Sequence, residues 1–188
     1  MSYFTNKQAR TIICDAYTKV SSNGHAVAES FYAQEELAKL PEQAVALALG
    51  VGNPVRHAGF RPGEYVVDLG CGAGIDTLLA ASTVGPAGHV IGIDMTPEMV
   101  DRARRNVLAA GFTHVEIKEG LIEELPLLDG SVDVIISNGV LNLSTRKSRV
   151  LAEATRVLRP GGRVSISDLV LTEALPEDVL KSPAALAG

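Results

Sequence analysis

The chain has 188 residues, the size of a single domain, and 46% of them are hydrophobic, which is enough for a real core. Its net charge of -5 argues against a nucleic-acid groove, because phosphate backbones are bound by clustered Lys and Arg. No apolar run approaches the roughly eighteen residues that cross a bilayer, and residues 1–10 are too polar for a signal peptide. We therefore expect neither a nucleic-acid nor a membrane partner.

The chain has two cysteines, Cys14 and Cys71, far apart in the sequence and without the spacing of a zinc site or a disulfide framework. The sequence therefore predicts no metal site. Two free thiols are typical of a reducing compartment, so we expect a cytoplasmic protein.

The N-terminal residues 1–55 are expected to form a helical cap outside the main fold. Apolar residues recur at helical spacing over residues 7–20, and a second helical stretch over 34–49 is interrupted near Pro41. His25 falls in a predicted loop, and residues 50–54 are rich in turn formers. These helices either cover the mouth of the sheet or pack on one of its faces without touching a ligand, and the sequence leaves both alternatives open.

From residue 63 onward, strands and helices alternate, which predicts a doubly wound, mostly parallel α/β sheet with helices on both faces. Thr96 and Gly111 should bound one helix, and Ser144 should cap another that ends at the string Arg-Pro-Gly-Gly at 159–162. The predicted strands begin at Tyr65 and cover 89–93, 115–118, 132–137 and 163–167, and the predicted helices cover 75–84, 97–110, 144–158 and about 178–181.

The string Y-V-V-D-L-G-C-G-A-G-I-D at 65–76 predicts a buried strand that turns sharply into a helix. Gly70 lets the chain leave the strand, Gly72 lets a ligand approach bare backbone, and Gly74 lets the helix pack closely on the strand. The carboxylate of Asp68 beside this turn would repel a pyrophosphate, whereas it would attract a ligand that carries an ammonium and a sulfonium. The turn therefore favours S-adenosylmethionine over a dinucleotide.

The next strand ends in Asp94, about twenty residues after the last glycine, where a carboxylate can accept both hydroxyls of a ribose. Capping of the following helix is an alternative role for Asp94. The loop from Leu121 to Glu123 and the side chain of Asn138 follow two further strands. Because parallel strands end at one edge of the sheet, we expect these groups to lie around one site.

Taken together, these motifs resemble class I S-adenosylmethionine-dependent methyltransferases, and within them the arsenite methyltransferase family. The resemblance covers residues 32–171. It rests on G-V-G-N-P at 50–54, D-L-G-C-G-A-G-I-D at 68–76, G-I-D-M-T at 92–96, G-L-I-E-E-L-P at 120–126, S-N-G-V-L-N-L at 137–143 and V-L-R-P-G-G at 157–162.

The resemblance implies a role for each matching position. The glycine turn with Cys71 would hold the methionine part of the cofactor, Asp94 the ribose, and Asn138 would lie by the methionine amine. Met95 would pack on adenine and Ile122, between Leu121 and Glu123, would offer backbone N–H to its edge, although core packing is an alternative for Met95 and Ile122. The positions expected near the methyl acceptor are Tyr32, Asn53, Gly139 and Asn142.

Two departures bear on the acceptor. Arsenite methyltransferases typically read G-C-G-N-P and S-N-C-V where this chain has Val51 and Gly139, and a further family cysteine follows beyond the equivalent of the last residues here. Trivalent arsenic prefers thiolates, so we expect an enzyme similar to the arsenite methyltransferases whose small-molecule acceptor is altered or unknown. Arsenite methylation with thiols from Cys14, Cys71 or glutathione remains an alternative, as does a cofactor-binding module without catalysis.

No catalytic residue is predicted, because a nucleophilic acceptor needs no general base and the histidines at 25, 57, 89 and 114 fall in predicted loops or at strand edges. The methyltransferase domain is expected over 56–171, with 172–188 as the C-terminal segment of an incomplete fold. The family sheet continues with two further strands, so the fifth strand should expose Val164 and Ile166. We expect that a second copy or another segment covers this strand, or that the sequence is a truncated part of a longer protein.

Overall fold

One parallel sheet forms the centre of the computed structural model, which describes residues 3–21 and 24–187. Its five strands lie in the order β3-β2-β1-β4-β5, and all neighbouring pairs are parallel. The predicted parallel α/β sheet is therefore confirmed. The strands are β1 (Tyr65–Leu69), β2 (His89–Asp94), β3 (Val115–Glu119), β4 (Val132–Asn138) and β5 (Leu158–Ser167).

Helices precede the sheet, connect its strands and follow it. In the described part of the chain the N-terminal helices are α1 (Asn6–Thr18), α2 (His25–Phe31), α3 (Gln34–Leu37), α4 (Glu42–Ala46) and α5 (Pro54–His57). The helices of the sheet are α6 (Ile75–Val84), α7 (Pro97–Ala110) and α8 (Lys147–Val157), with a 3₁₀ turn over Leu141–Leu143. The last are α9 (Glu177–Leu180) and α10 (Pro183–Ala187).

The core explains why the central strands are apolar on both faces. Val67 of β1 and Ile135 of β4 pack in one cluster, whereas Val66 and Val134 pack in another, and all four are fully buried. This is the pattern of a parallel sheet with both faces covered. Helix α6 is buried along almost its whole length, because the N-terminal helices pack on the side that faces away from the sheet.

The predicted helices over 75–84 and 97–110 are confirmed. Thr96 is the N-cap of α7, and Gly111 ends this helix with φ of 72°, a left-handed conformation that glycine adopts without strain. The predicted start of α8 at Ser144 is wrong, since the helix begins at Lys147. The hydroxyl of Ser144 instead accepts the backbone N–H of Arg146 and donates to Glu123, so it orders the loop before the helix.

The N-terminal region follows the prediction only in part. The predicted loop at His25 is wrong, because this residue starts α2. The helical stretch over 34–49 consists of two short helices on either side of Pro41, which confirms the predicted interruption. The turn over 50–54 leads into α5, whose first backbone N–H groups include that of Arg56, bound by the side chain of Asn53.

The fifth strand is longer than the predicted 163–167. Helix α8 ends before Arg159-Pro160-Gly161-Gly162 as predicted, but β5 begins at Leu158 and runs through this string. Its pairing with β4 shifts register between Val132 and Val134, and Gly161 has φ of 83°. The glycines thus allow a bulge in a strand instead of a loop between a helix and a strand.

Strand β5 is the outer strand of the sheet on one side. Val164 and Ile166 are 43% and 40% exposed, as the sequence predicts for an edge without a neighbour. Whether another chain or segment covers this edge stays a prediction. Among the described residues, no helix is both long and apolar enough to traverse a bilayer.

Candidate functional site

A pocket lies at the carboxyl ends of the strands, and its space, with the open solvent at its mouth included, is about 1040 Å³. The strand registers place Leu69 opposite Ile93 and Ser137, so β1, β2 and β4 end side by side below it. The turns and loops after four strands contribute to its wall. Those lining residues are Gly70, Cys71, Gly72, Ala73, Ile75, Asp76, Asp94, Met95, Thr96, Gly120, Ile122, Glu123, Asn138, Gly139, Val140, Leu143, Ser144 and Thr145.

The glycine turn bends over the end of β2. The backbone N–H groups of Gly70 and Cys71 both donate to the carbonyl of Ile93, at 2.7 and 3.0 Å. Gly70 has φ of 68°, and a Cβ there would lie 2.5 Å from Val140, so neither the conformation nor the space suits another residue. A Cβ at Gly72 would meet nothing within 4 Å, which leaves this backbone open to the pocket.

Asp94 joins the turn to the end of β2. One carboxylate oxygen accepts the backbone N–H of Gly72 at 2.9 Å, and the other accepts that of Thr96 at 2.9 Å. Burial raises the pKa of Asp94, and these backbone hydrogen bonds oppose the rise. A carboxylate has about four acceptor positions, so the side chain can also accept hydroxyl groups from a ligand in the pocket.

Asp76 is a pocket residue that the sequence analysis missed. It is 4% exposed, and its carboxylate accepts the hydroxyl of Tyr32 at 2.8 Å and the side-chain amide of Asn138 at 3.0 Å. Asn138 also holds the loop before α5, because its side chain binds the carbonyl of Gly52 and the N–H of Val51. Three distant parts of the chain thus meet at one carboxylate. A signal existed in the sequence, since Asp76 is the one charged residue of helix α6 and lies in its first turn, next to the glycines.

Asp68 lies behind the glycine turn and not in the pocket wall. It is 2% exposed, and it accepts the hydroxyl of Thr77 at 2.6 Å. Burial, together with the nearby charge of Asp76, raises the pKa of Asp68 to about 8. Asp68 therefore does not contact the pocket directly, and its raised pKa favours the neutral form.

Helix α1 covers one side of the pocket, whereas α2 and α4 pack on α6, so both roles that the sequence left open for the N-terminal region occur. The pocket-facing residues of α1 are Asn6, Ala9, Arg10, Ile13 and Tyr17. Three side-chain contacts fix the helix to the first turn of α7 and to the loops after β3 and β4. They are Thr18 with Glu98 at 3.0 Å, Arg10 with Glu123 at 3.7 Å and Asn6 with Thr145 at 2.6 Å. No local pattern could have predicted these partners.

The structure brings together most of the predicted cofactor residues. Those in the pocket wall are Gly70, Cys71, Gly72, Asp94, Met95, Ile122, Glu123 and Asn138. Those outside it are Asp68, Gly74 and Leu121. Gly74 instead begins α6, where a Cβ would lie 3.6 Å from Ala103 of α7, and Leu121 pairs with Glu124 in an isolated bridge.

The predicted acceptor residues divide in the same way. Gly139 lies in the pocket wall, whereas Tyr32 reaches the pocket through Asp76. Asn53 is buried and binds Phe31 and Arg56, and Asn142 binds the carboxylate of Asp168 at 2.8 Å. Both asparagines therefore have structural partners outside the pocket.

Neither cysteine lies in a cluster of soft ligands. The thiol of Cys71 packs against Gly92, where a Cβ would come within 3.0 Å of its sulfur, and burial raises its pKa. Cys14 of α1 lies near Met95 and Thr96, and burial is also the main cause of its raised pKa. Both groups are thus held as thiols. Among the described residues, no three His, Cys, Asp or Glu side chains form a metal site.

Comparison with known proteins identifies the family. A family model described as a methyltransferase domain matches residues 60–187. The chain belongs to the methyltransferase domain family. An arsenite methyltransferase of Halobacterium salinarum is 55% identical over 142 residues, which cover 76% of this chain and 36% of that protein. A demethylmenaquinone methyltransferase of Symbiobacterium thermophilum is 36% identical over 110 residues, which cover 58% of this chain and 44% of that protein.

The fold of this methyltransferase domain also matches a solved structure. An arsenic(III) S-adenosylmethionine methyltransferase from Chlamydomonas reinhardtii superposes with a TM-score of 0.73 and 40% identity, covering 80% of this chain and 53% of that one. The expected class I methyltransferase fold is thus confirmed. The chain spans less than half the length of the two curated relatives described above.

Proposed function

We propose that this domain binds S-adenosylmethionine and transfers its methyl group to a small-molecule acceptor. One observation carries the proposal: the carboxylates of Asp76 and Asp94 flank the open backbone of Gly72 in one pocket. Within the described residues, neither carboxylate forms an ion pair with Lys, Arg or His. This arrangement favours a cationic nucleoside over a phosphorylated one.

Each part of the pocket would then bind a different part of the cofactor. The glycine turn and Asp76 lie where the methionine part would bind, and Asp94 would accept the ribose hydroxyls. Met95 and Ile122 would enclose the adenine. Helix α1 would exclude water above the cofactor, since Ile13 and Tyr17 face the pocket.

The chemistry needs little from the protein beyond placement. The cofactor supplies an activated methyl group, and an acceptor lone pair displaces the thioether by in-line attack. None of the four histidines lies in the wall of this pocket, so no histidine is assigned as a general base. We infer that this domain acts by positioning the two reactants in a dry pocket, on an acceptor that is itself nucleophilic.

The acceptor is inferred from the residues beside Asn138. A Cβ at Gly139 would lie 3.5 Å from Val51, so positions 51 and 139 face each other. These are the positions at which the resembling family carries thiols, and here they present a methyl group and bare backbone. The lack of thiolates supports an organic acceptor over arsenite.

Arsenite is the second candidate acceptor. It is favoured by the relative from Halobacterium salinarum, which is an arsenite methyltransferase. Cys14, Cys71 or a small thiol such as glutathione would have to supply the thiolates. The raised pKa of each protein thiol counts against this, because arsenic binds the deprotonated form.

Calorimetry with S-adenosylmethionine tests the cofactor first, and an absence of binding would favour a module without catalysis. If the cofactor binds, formation of S-adenosylhomocysteine is measured with arsenite plus glutathione and with a panel of thiol, amine and quinol acceptors. Turnover with an organic acceptor but not with arsenite supports our proposal. Turnover that depends on arsenite alone supports the second candidate.

We also propose that the domain boundaries follow the division between residues 1–55 and 56–171, and that the exposed β5 edge is covered by a second copy or by another segment. Light scattering after size-exclusion chromatography tests the second copy. A well-behaved monomer that does not aggregate at high concentration contradicts the need for a cover.

A further inference from the structure

Two buried carboxylates, one in the pocket wall and one behind it, have no cation among the described residues to balance them. Asp68 and Asp76 are 2% and 4% exposed. Within the residues that the structure describes, no Lys, Arg or His pairs with either one. A buried carboxylate is costly when ionised, so it either keeps a proton or accepts a cation from outside.

The polar groups around the two carboxylates are neutral donors. The hydroxyl of Thr77 donates to Asp68 at 2.6 Å, whereas Tyr32 and Asn138 donate to the two oxygens of Asp76. The charged groups that act on them are also acidic. These are Asp94 at the end of β2 and Glu36 of α3. The surroundings therefore add negative charge and supply no cation.

This environment sets the protonation of the two carboxyl groups. Burial first, and then the charge of Asp76, raises the pKa of Asp68 to about 8. Burial raises the pKa of Asp76 to about 6, although its hydrogen bonds from Asn138 and Tyr32 oppose the rise. At pH 6.5 the two groups together therefore keep on the order of one proton.

We propose that Asp76 binds the ammonium group of the methyl donor and that this ammonium replaces the proton kept by Asp68 and Asp76. The proposal rests on the proposed function. Asp76 contacts the ligand because it lies in the pocket wall, and Asp68 lies behind it. Tyr32 and Asn138 are positioning residues that hold the carboxylate. The O–H bond of the carboxylic acid breaks, the proton passes to buffer, and the ammonium keeps its own three protons.

Calorimetry can count this proton. S-adenosylhomocysteine carries the same amino acid part without a reactive methyl group, and at pH 6.5 its amine is almost fully protonated. Titrations are run in buffers that differ in ionisation enthalpy. The measured enthalpy should change linearly with that quantity, with a slope that corresponds to release of roughly one proton.

Three variants test how much individual side chains contribute to proton release. Asp68→Asn should retain binding but reduce proton release by roughly half or more, because one of the two carboxyl groups that share the proton is removed. Tyr32→Phe removes a donor to Asp76, so more protonated Asp76 is present before binding and release should increase. A purely structural role for Tyr32 would alter affinity and leave the proton count unchanged. Asp101→Asn, an exposed position on α7, should match the unaltered protein.

The outcomes distinguish this inference from the proposed function. Binding with the same enthalpy in every buffer overturns the proton exchange and leaves the cofactor assignment intact. An absence of any binding heat, confirmed by equilibrium dialysis, overturns the proposed function and the exchange with it. If Asp68→Asn unfolds, the increased release expected for Tyr32→Phe still tests the exchange, and an unchanged or smaller release contradicts it.

Discussion

The carboxylate of Asp94 at the end of β2 accepts the backbone N–H of Gly72 at 2.9 Å. This bond connects the two strand ends that flank the pocket, so the residue proposed to hold the ribose also fixes the open backbone of the glycine turn. Orientation of a ligand and orientation of the turn therefore depend on the same side chain.

Replacing Asp94 with Asn should weaken binding of S-adenosylhomocysteine by about tenfold to a hundredfold, because a hydrogen bond to a charged group contributes about 1.5–3 kcal/mol. Titration calorimetry measures the change. Asp101→Asn on the exposed face of α7 is the control. Equal affinity in the Asp94 variant and in the control would remove Asp94 from the site.

Substitution by alanine should destabilise the protein more at Gly70 than at Gly72. Gly70→Ala places a Cβ 2.5 Å from Val140 in a left-handed conformation, so it should lower the free energy of unfolding by about 2–4 kcal/mol. Gly72→Ala carries only the conformational cost of about 1–2 kcal/mol, since its Cβ meets nothing within 4 Å. Urea unfolding measures both.

Gly72→Ala should nevertheless lose cofactor binding, because its methyl group enters the pocket. Gly130 is a matched control, since its φ of 56° resembles the 53° of Gly72 and its Cβ also meets nothing within 4 Å. Gly130→Ala should cost the same stability and keep the affinity. If both variants bind equally well, the ligand does not approach the turn.

The buried acids predict an unusual dependence of stability on pH. The pKa of Asp68 is raised in the folded state, so between its unfolded value near 4 and about 8 the folded chain binds more protons than the unfolded chain. The contribution of Asp68 to the free energy of unfolding is fully present below pH 4 and is lost as the pH rises through about 8. Glu64 and Glu153, whose pKa values are lowered by Arg163 and Arg156, act in the opposite direction, at acidic pH.

Between pH 6 and pH 8 the effect of Asp68 should dominate, and the free energy of unfolding should fall by about 2 kcal/mol. For a chain of this size this corresponds to a decrease in Tm of roughly 5 °C. Thermal unfolding followed by circular dichroism at the two pH values measures it. Asp68→Asn should abolish most of the difference, and an equal decrease in the variant would assign the effect to other groups.

A pair of thiols at positions 51 and 139 should create a site for trivalent arsenic. The double substitution Val51→Cys and Gly139→Cys places two soft ligands on facing positions, because a Cβ at Gly139 would lie 3.5 Å from Val51. We expect binding of arsenite to tighten at least about tenfold. The cost is strain at residue 139, whose φ is 74°.

Serine at the same two positions is the matched control, since it has the same shape with a hard oxygen in place of sulfur. Arsenite binding is measured by the change in thiolate absorbance and by calorimetry. Equal binding by the serine and cysteine pairs would contradict the assignment of these positions to the acceptor side.

The amino-acid sequence determined that a parallel sheet forms, the succession of strands and helices along the chain, and the location of the glycine turn. Short apolar runs, helix caps and the spacing of Gly70, Gly72 and Gly74 depend on local conformational preferences, which a linear pattern records. It was wrong about the start of α8 and the extent of β5, because a serine before a helix can order a loop and glycines can lie within a bulged strand.

Only the tertiary structure decided what surrounds the pocket. Tyr32, Asp76 and Asn138 belong to a loop after α2, to the start of α6 and to the end of β4, and they meet because the sheet brings the strand ends together. The position of α1 over the pocket depends likewise on side chains from the start of α7 and from two loops. A one-dimensional pattern cannot encode such contacts, since the electrostatic environment of a buried carboxylate comes from groups that are distant in the chain and close in space.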